Sequence, residues 1–313
     1  MEIVLNVIGP VFGIVIMGYA ATKIGWFSQS AADGLARFVF DFAIPIFLFR
    51  TLATNPLPET FPLDLFAAFY IGCYGAYAIG VFLGRMLFGR DWMGAVLTGL
   101  ACSFGNTILL GVPLVLRAFG DEGAIPMFLI LSVHGLTLFT ATTVFMELSN
   151  KGDTSLAALP VKVLRNMTTN PIILGLAGGL VANLTGFTLP GVIDDVGRLM
   201  QAAASPCALF ALGATVAQFG FVGRLTQTGV VMLVKMIAIP LAVWVLATEV
   251  FGLEPLWAMV ATLMAAQPSG ANVYLFASRY DTAKAIASST VFLSTAASVI
   301  TISVLLYSFG LTG

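Results

Sequence analysis

Two short stretches hold most of the polar chemistry available to this chain. Gly105-Asn106-Thr107-Ile108-Leu109-Leu110-Gly111-Val112-Pro113 and Gln267-Pro268-Ser269-Gly270-Ala271-Asn272 interrupt apolar runs about 160 positions apart, a register also marked by Asp121 and Asp281. Proline lacks a backbone N–H and its ring clashes with the preceding turn, while glycine relaxes the backbone, so a helical hydrogen-bond ladder is expected to open in both stretches. Each opening frees N–H groups at the start of a second half-helix, where aligned peptide dipoles place about half an elementary charge of positive sign. An anion between two such ends is favoured. The candidate substrate-binding positions are therefore Asn106, Thr107, Gly111, Pro113, Gln267, Pro268, Ser269 and Asn272. Either break alone reads equally well as an ordinary kink patched by Ser, Thr and neighbouring helices. The matched pair is what points to a carrier's binding site.

Three ionisable side chains lie inside apolar runs. Asp41 sits well within the second run, and its counterpart 161 positions on is Ala202, so the carboxylate is not required by anything the two halves share. Proton coupling is one role for it, and lining a wet inner vestibule without carrying a proton is the other. Lys235 lies near the middle of the eighth run, too deep for easy snorkelling. It can pair with Asp41, attract an anionic substrate, or donate to the freed carbonyls of a broken helix. His134 is the only histidine; a lone His makes a poor metal site and can equally serve as an interhelical hydrogen-bonding group.

These residues belong to a chain of 313 amino acids that is 59% hydrophobic and 9% charged, against about 25% charged in a soluble domain. Lipid is its expected solvent. The net charge of −1 provides no basic field for nucleic acid. Cys73, Cys102 and Cys207 are isolated and read as small buried hydrophobes. No HExxH, GxSxG or clustered metal-ligand motif is present, so neither an enzyme nor a metal or other cofactor is indicated.

Runs of roughly 20 residues, enough to cross the hydrocarbon, occur at about 3–23, 35–54, 64–88, 93–119, 124–148, 167–185, 196–218, 226–250, 255–280 and 285–310. They predict an all-α polytopic membrane protein of ten transmembrane helices, the first of them retained rather than cleaved as a signal. With the N-terminus outside, the inner connections hold Lys23, Arg37, Arg85, Arg90, Lys151, Lys162, Arg165, Arg224, Arg279 and Lys284, and the outer ones only Arg50, Arg117 and Arg198. This asymmetry predicts both termini outside. Pro10, Asp33, Arg37 and Pro45 recur as Pro171, Asp194, Arg198 and Pro206, each displaced by 161 positions. Five spans is an odd number, so residues 1–150 and 151–313 are expected to be inverted repeats, the architecture of secondary transporters. Pro45 and Pro206 are expected to kink the scaffold, and the glycines from Gly175 to Gly179 to permit close helix packing.

The order and spacing of several motifs resemble the auxin efflux carrier family, and in particular its short bacterial malonate-type members. The motifs are Ile3 to Phe27, Arg37-Phe38-Val39-Phe40 through Pro45 to Arg50, the two breaks, and Ser205-Pro206 through Leu212-Gly213-Ala214. The resemblance implies a fold similar to sodium–bile acid symporters: spans 1, 2, 6 and 7 form a scaffold that often dimerises, and spans 3–5 and 8–10 a moving transport domain in which broken spans 4 and 9 cross. It also implies a small organic anion as substrate, carried by alternating access with H+ or Na+ as coupling ion, in a multi-pass plasma-membrane protein. A channel or receptor on the same fold is the competing class.

Overall fold

In the computed structural model, residues 4–55, 62–149, 168–222 and 225–310 are described, and among these every regular element is helical. The inner connection holding Lys151, Lys162 and Arg165, the boundary at 150/151, and Arg224 lie outside the described residues. Helix α1 is Gly9–Lys23. Helices α2, Gln29–Phe38, and α3, Ile44–Thr54, are joined by a π-helical turn. Next come α4, Leu63–Phe82, and α5, Trp92–Ser103. A π turn at Thr107–Gly111 leads into α6, Val112–Phe119, and α7 is Ala124–Ser149. In the rest of the chain α8 is Pro171–Leu184, α9 Gly191–Val216, α10 Leu225–Leu233 and α11 Ile239–Val245. The chain ends with α12, Pro255–Ala265, α13, Asn272–Arg279, and α14, Lys284–Ser308.

Six helical stretches are long and apolar enough to cross a membrane: Asn6–Lys23, Leu63–Leu87, Thr107–Leu148, Gly191–Val216, Leu225–Val250 and Lys284–Ser308. Thr107–Leu148 is longer than one crossing requires and is interrupted at Gly120, whose φ of 61° only glycine adopts readily. The other expected spans do not qualify by themselves for physical reasons. Trp92–Ser103 and Pro255–Ala265 are the first halves of broken runs, Pro171–Leu184 is short, and the second run carries Arg37, Asp41 and Arg50.

Several prolines stand in helices that continue past them. Pro10, Pro45, Pro113 and Pro240 each stand two residues beyond the end of a π-helical turn, at Val4–Ile8, Val39–Ala43, Thr107–Gly111 and Val234–Ala238. A wider turn accommodates the missing N–H and the ring without ending the helix. Pro113 therefore does not open the ladder; the opening lies upstream at Phe104–Asn106. Pro206 stands inside an unbroken α9.

The densest packing falls within two groups of helices. Helix α1 lies along α9, and α3 along α8, with α9 also against α2 and α3. Glycines bring these backbones into contact: a Cβ on Gly18 would strike the carbonyl oxygen of Phe210, and a Cβ on Gly179 that of Phe49. The two collisions are related by 161 positions in both partners. Gly175 meets the Pro45 carbonyl in the same interface. In the second group, α4 packs on α5 and α11, α12 on α11, α4 and α7, and α13 on α14 and α5.

Local structure repeats as well. After α1, the N–H groups of Ile24, Gly25 and Trp26 donate to the carbonyls of Ala20, Thr22 and Ala21; after α8, Thr185, Gly186 and Phe187 donate to Val181, Asn183 and Ala182, every atom displaced by 161. The ends of α4 and α11 also correspond, at a displacement of 163 positions. Each runs into a π turn, Leu83–Leu87 or Leu246–Val250, and then a left-handed glycine, Gly89 or Gly252, with φ of 60° and 58°.

Candidate transport site

The two breaks meet. Gly105 and Ser269 face each other as an antiparallel bridge, with Asn106 N–H donating to Pro268 O at 2.7 Å and Gly270 N–H to Phe104 O at 3.2 Å. Broken helices in an apolar interior must place their freed backbone groups somewhere, and neighbouring side chains take up several of them. Ser269 Oγ donates to Ala101 O at 2.8 Å, Gln267 Nε2 to Leu263 O at 2.8 Å, and Lys235 Nζ to Ala265 O at 2.7 Å. Ser269 N–H donates to Ser294 Oγ. On the far side of the first break, Asn106 Oδ1 accepts from Leu109 N–H at 3.2 Å and so caps the Thr107–Gly111 turn. Gly111 is needed for approach: a Cβ there would lie 3.1 Å from Met264 Sδ and 3.3 Å from Gln267 Cγ.

Beside the crossing lies a cavity of about 570 Å3. Its walls come from the π turn between α2 and α3, from the first break, from α7, from the start of α8 and from α13. Thr107, Asn272, Asp41 and His134 line it. Asn106, Gln267, Pro268, Ser269 and Lys235 instead are built into the crossing, and Gly111 and Pro113 are buried in the segment that follows. Asp41 and Lys235 do not pair: Asp41 is exposed, Lys235 is buried, and no ion pair joins them.

His134 is 2% exposed, stacked on Phe104 with centroids 5.1 Å apart and edge-on to Phe69 at 5.5 Å. Neither ring nitrogen has a hydrogen-bond partner in the protein, although the residue borders the cavity. Phe104 continues into an aromatic row through Phe139 and Phe276, with centroids 4.6 Å and 5.2 Å apart.

Arg279 also lines the cavity, and it was absent from the candidates drawn from the sequence. The missed signal is periodic. Asn272, Phe276 and Arg279 are spaced i, i+4, i+7, one face of α13, so the helix that starts at a candidate polar residue presents a cation two turns later. In the connection after α13, Asp281 pairs with Lys284 at 2.5 Å, and that hydrogen bond and charge hold the Asp281 carboxyl below its ordinary pKa.

A chain of apolar helices, two of them broken and joined back to back beside a cavity, has the form of a carrier. Residues 3–306 match the family described as membrane transport protein. The chain belongs to that family. It is a multi-pass membrane protein of transport, not an enzyme. Its sequence is 26% identical over 311 residues to a protein of Rhizobium meliloti (strain 1021) named "Putative malonate transporter", covering 98% of this chain and 96% of the relative. Auxin efflux carrier components 8 and 5 of Arabidopsis thaliana are 23% and 22% identical, covering 87% and 88% of this chain and 88% of each relative. The resemblance to auxin efflux carriers read from the motifs therefore extends over 87% and 88% of the chain in these two matches.

Proposed function

We propose that this family member is a secondary carrier that binds a small organic anion, a mono- or dicarboxylate, in the cavity beside the crossing and moves it by alternating access. The start of α13 carries the reading. That eight-residue helix has no side-chain cap, its first residue Asn272 borders the cavity, and Arg279 lines the same cavity. The N–H groups of Val273 and Tyr274 already donate to the carbonyls of Gly270 and Ala271, so what the helix start offers an anion is its positive dipole end, and Arg adds a fixed charge suited to a carboxylate. At the first break, by contrast, Asn106 already caps the turn that begins at Thr107, leaving Thr107 to donate its hydroxyl. Relatives named for malonate and for auxin are in keeping with an organic anion.

The two packing groups support a scaffold of spans 1, 2, 6 and 7 against a transport domain of spans 3–5 and 8–10. Hydrogen bonds and glycine contacts that recur at 161 positions support two repeats, 1–150 and 151–313, of five spans each, and hence ten crossings. Among the described residues that line the cavity Asp41 is the one carboxylate, and proton coupling is assigned to it. Binding and uptake of a carboxylate panel in proteoliposomes test the reading. Uptake should saturate, and Arg279→Gln should weaken binding about tenfold, as loss of a charge-assisted hydrogen bond does. Unchanged affinity in that variant moves the anion elsewhere, and flux without saturation makes the protein a channel.

A further inference from the structure

Helix α13 has eight residues, too few to hold itself as a helix, and its neighbours hold it face by face. Asn272, Phe276 and Arg279 line the cavity, and Val273 and Ala277 are fully buried. Tyr274 stands two residues beyond Asn272 and so about 200° around the helix, on the side away from the cavity. Behind it runs the connection between α9 and α10. Phe219 of that connection is buried and meets the Tyr274 ring edge-on, with centroids 5.0 Å apart.

The connection is itself fastened to α14. Ser288 and Ser289, near the start of that helix, each serve both backbone groups of one residue. Gly220 N–H donates to Ser288 Oγ at 3.3 Å, and Ser288 Oγ donates back to Gly220 O at 3.1 Å. Val222 N–H donates to Ser289 Oγ and Ser289 Oγ to Val222 O, both at 2.8 Å. Irregular backbone beside an apolar bundle needs such partners, and two buried hydroxyls directed at alternate residues also fix its register. The counterparts of the two serines 161 positions earlier are Met127 and Phe128, which carry no hydroxyl. The fastening is therefore a feature of one half and not of what the halves share.

We infer that Ser288, Ser289 and Phe219 are positioning residues for the anion site: they fix residues 219–222 as a strap behind α13, and the strap presses the face bearing Asn272 and Arg279 toward the cavity. Among the described residues that line the cavity none of the three occurs, so their effect on binding must pass through α13. The ligand rests on the carrier reading, whereas the hold on α13 is read without one.

Two measurements on the purified full-length protein carrying both Ser288→Ala and Ser289→Ala test the strap. Affinity for malonate, succinate or benzoate, whichever the wild type binds, should fall about tenfold. In an Arg279→Gln background the same pair of changes should cost no more than about twofold further, because both act through one helix; full additivity makes the serines a general structural support and overturns the inference. Amide exchange of residues 272–279 without ligand should quicken about tenfold while that of α6 stays unchanged. Unchanged exchange in α13 overturns the inference whether or not a carboxylate binds. A wild type that binds none of the three, with α13 exchange still quickened in the variant, fails the carrier reading and upholds the strap. Should the paired variant not fold, Phe219→Leu keeps apolar bulk, removes the ring contact, and should move both readouts in the same direction by about threefold; no movement in either overturns the inference.

Discussion

Asp41 and Lys235 show how much the surroundings of an intramembrane charge decide its role. Lys235 is sealed against a carbonyl, whereas Asp41 is exposed and borders the cavity, so of the two only Asp41 is open to water. Asp41→Asn keeps the shape and hydrogen-bonding capacity of the side chain while removing its titration. A proton-coupled carrier with this change should lose accumulation driven by a pH gradient and retain binding and exchange in proteoliposomes. Accumulation persisting at the wild-type level removes Asp41 as coupling group, and a wild type that ignores pH removes proton coupling altogether. The polar types at the breaks were legible from the sequence because Asn and Gln are rare inside apolar runs and here cluster with Pro and Gly; their division of labour was not. Asn106, Gln267 and Ser269 are engaged with backbone groups, whereas Thr107 and Asn272 reach the cavity. That distinction depends on how two half-helices cross, which residue type does not encode. Arg279 shows the converse, a residue counted among the inner charges whose helical spacing from Asn272 placed it in the cavity wall.

At the level of the helices, glycine decides which backbones touch. Gly18 of α1 and Gly179 of α8 each oppose a carbonyl oxygen of the neighbouring helix, whereas Gly13 of α1 has nothing within 4 Å of a built Cβ. Gly18→Val and Gly179→Val should therefore both force their helix pairs apart, lowering the unfolding midpoint of the purified protein by about 5 °C or more, in line with overpacking costs of roughly 1–3 kcal/mol. Gly13→Ala should leave it within a degree or two. If the two valine variants differ sharply, with one near wild type, the close contacts are not equivalent and the correspondence of the two helix pairs fails. The glycine clusters were readable as packing devices, but their partners were not, because α1 meets α9 and α3 meets α8 across more than a hundred residues of sequence. Pro113 misled in a definite way: its ring is accommodated by the π turn before it, as those of Pro10, Pro45 and Pro240 are. The openings instead fall at Phe104–Asn106 and around Pro268, where the backbones of the two breaks hydrogen-bond to each other.

For the molecule as a whole, orientation rests on charge rather than on packing. Lys and Arg resist translocation, so an excess in short connections keeps those connections in the cytoplasm. Ten of the thirteen Lys and Arg residues assigned to loops and helix ends fall on one side when the N-terminus is outside. The connection from Lys151 to Arg165 joins the proposed repeats, and with five spans before it that connection must lie on the side opposite the N-terminus. The Gly186–Thr188 connection, one crossing further on, then faces outward. Single cysteines introduced at Gly152 and at Thr188, in a background with Cys73, Cys102 and Cys207 replaced, should separate under a membrane-impermeant thiol reagent applied to intact cells. The Thr188 position should react at once, and the Gly152 position only after the membrane is opened. Reaction of the Gly152 position from outside would invert the whole assignment and place the Arg279 side of the cavity toward the exterior. Reaction of both from outside would mean an even number of crossings, or none, between them, and the five-plus-five arrangement would fall with it.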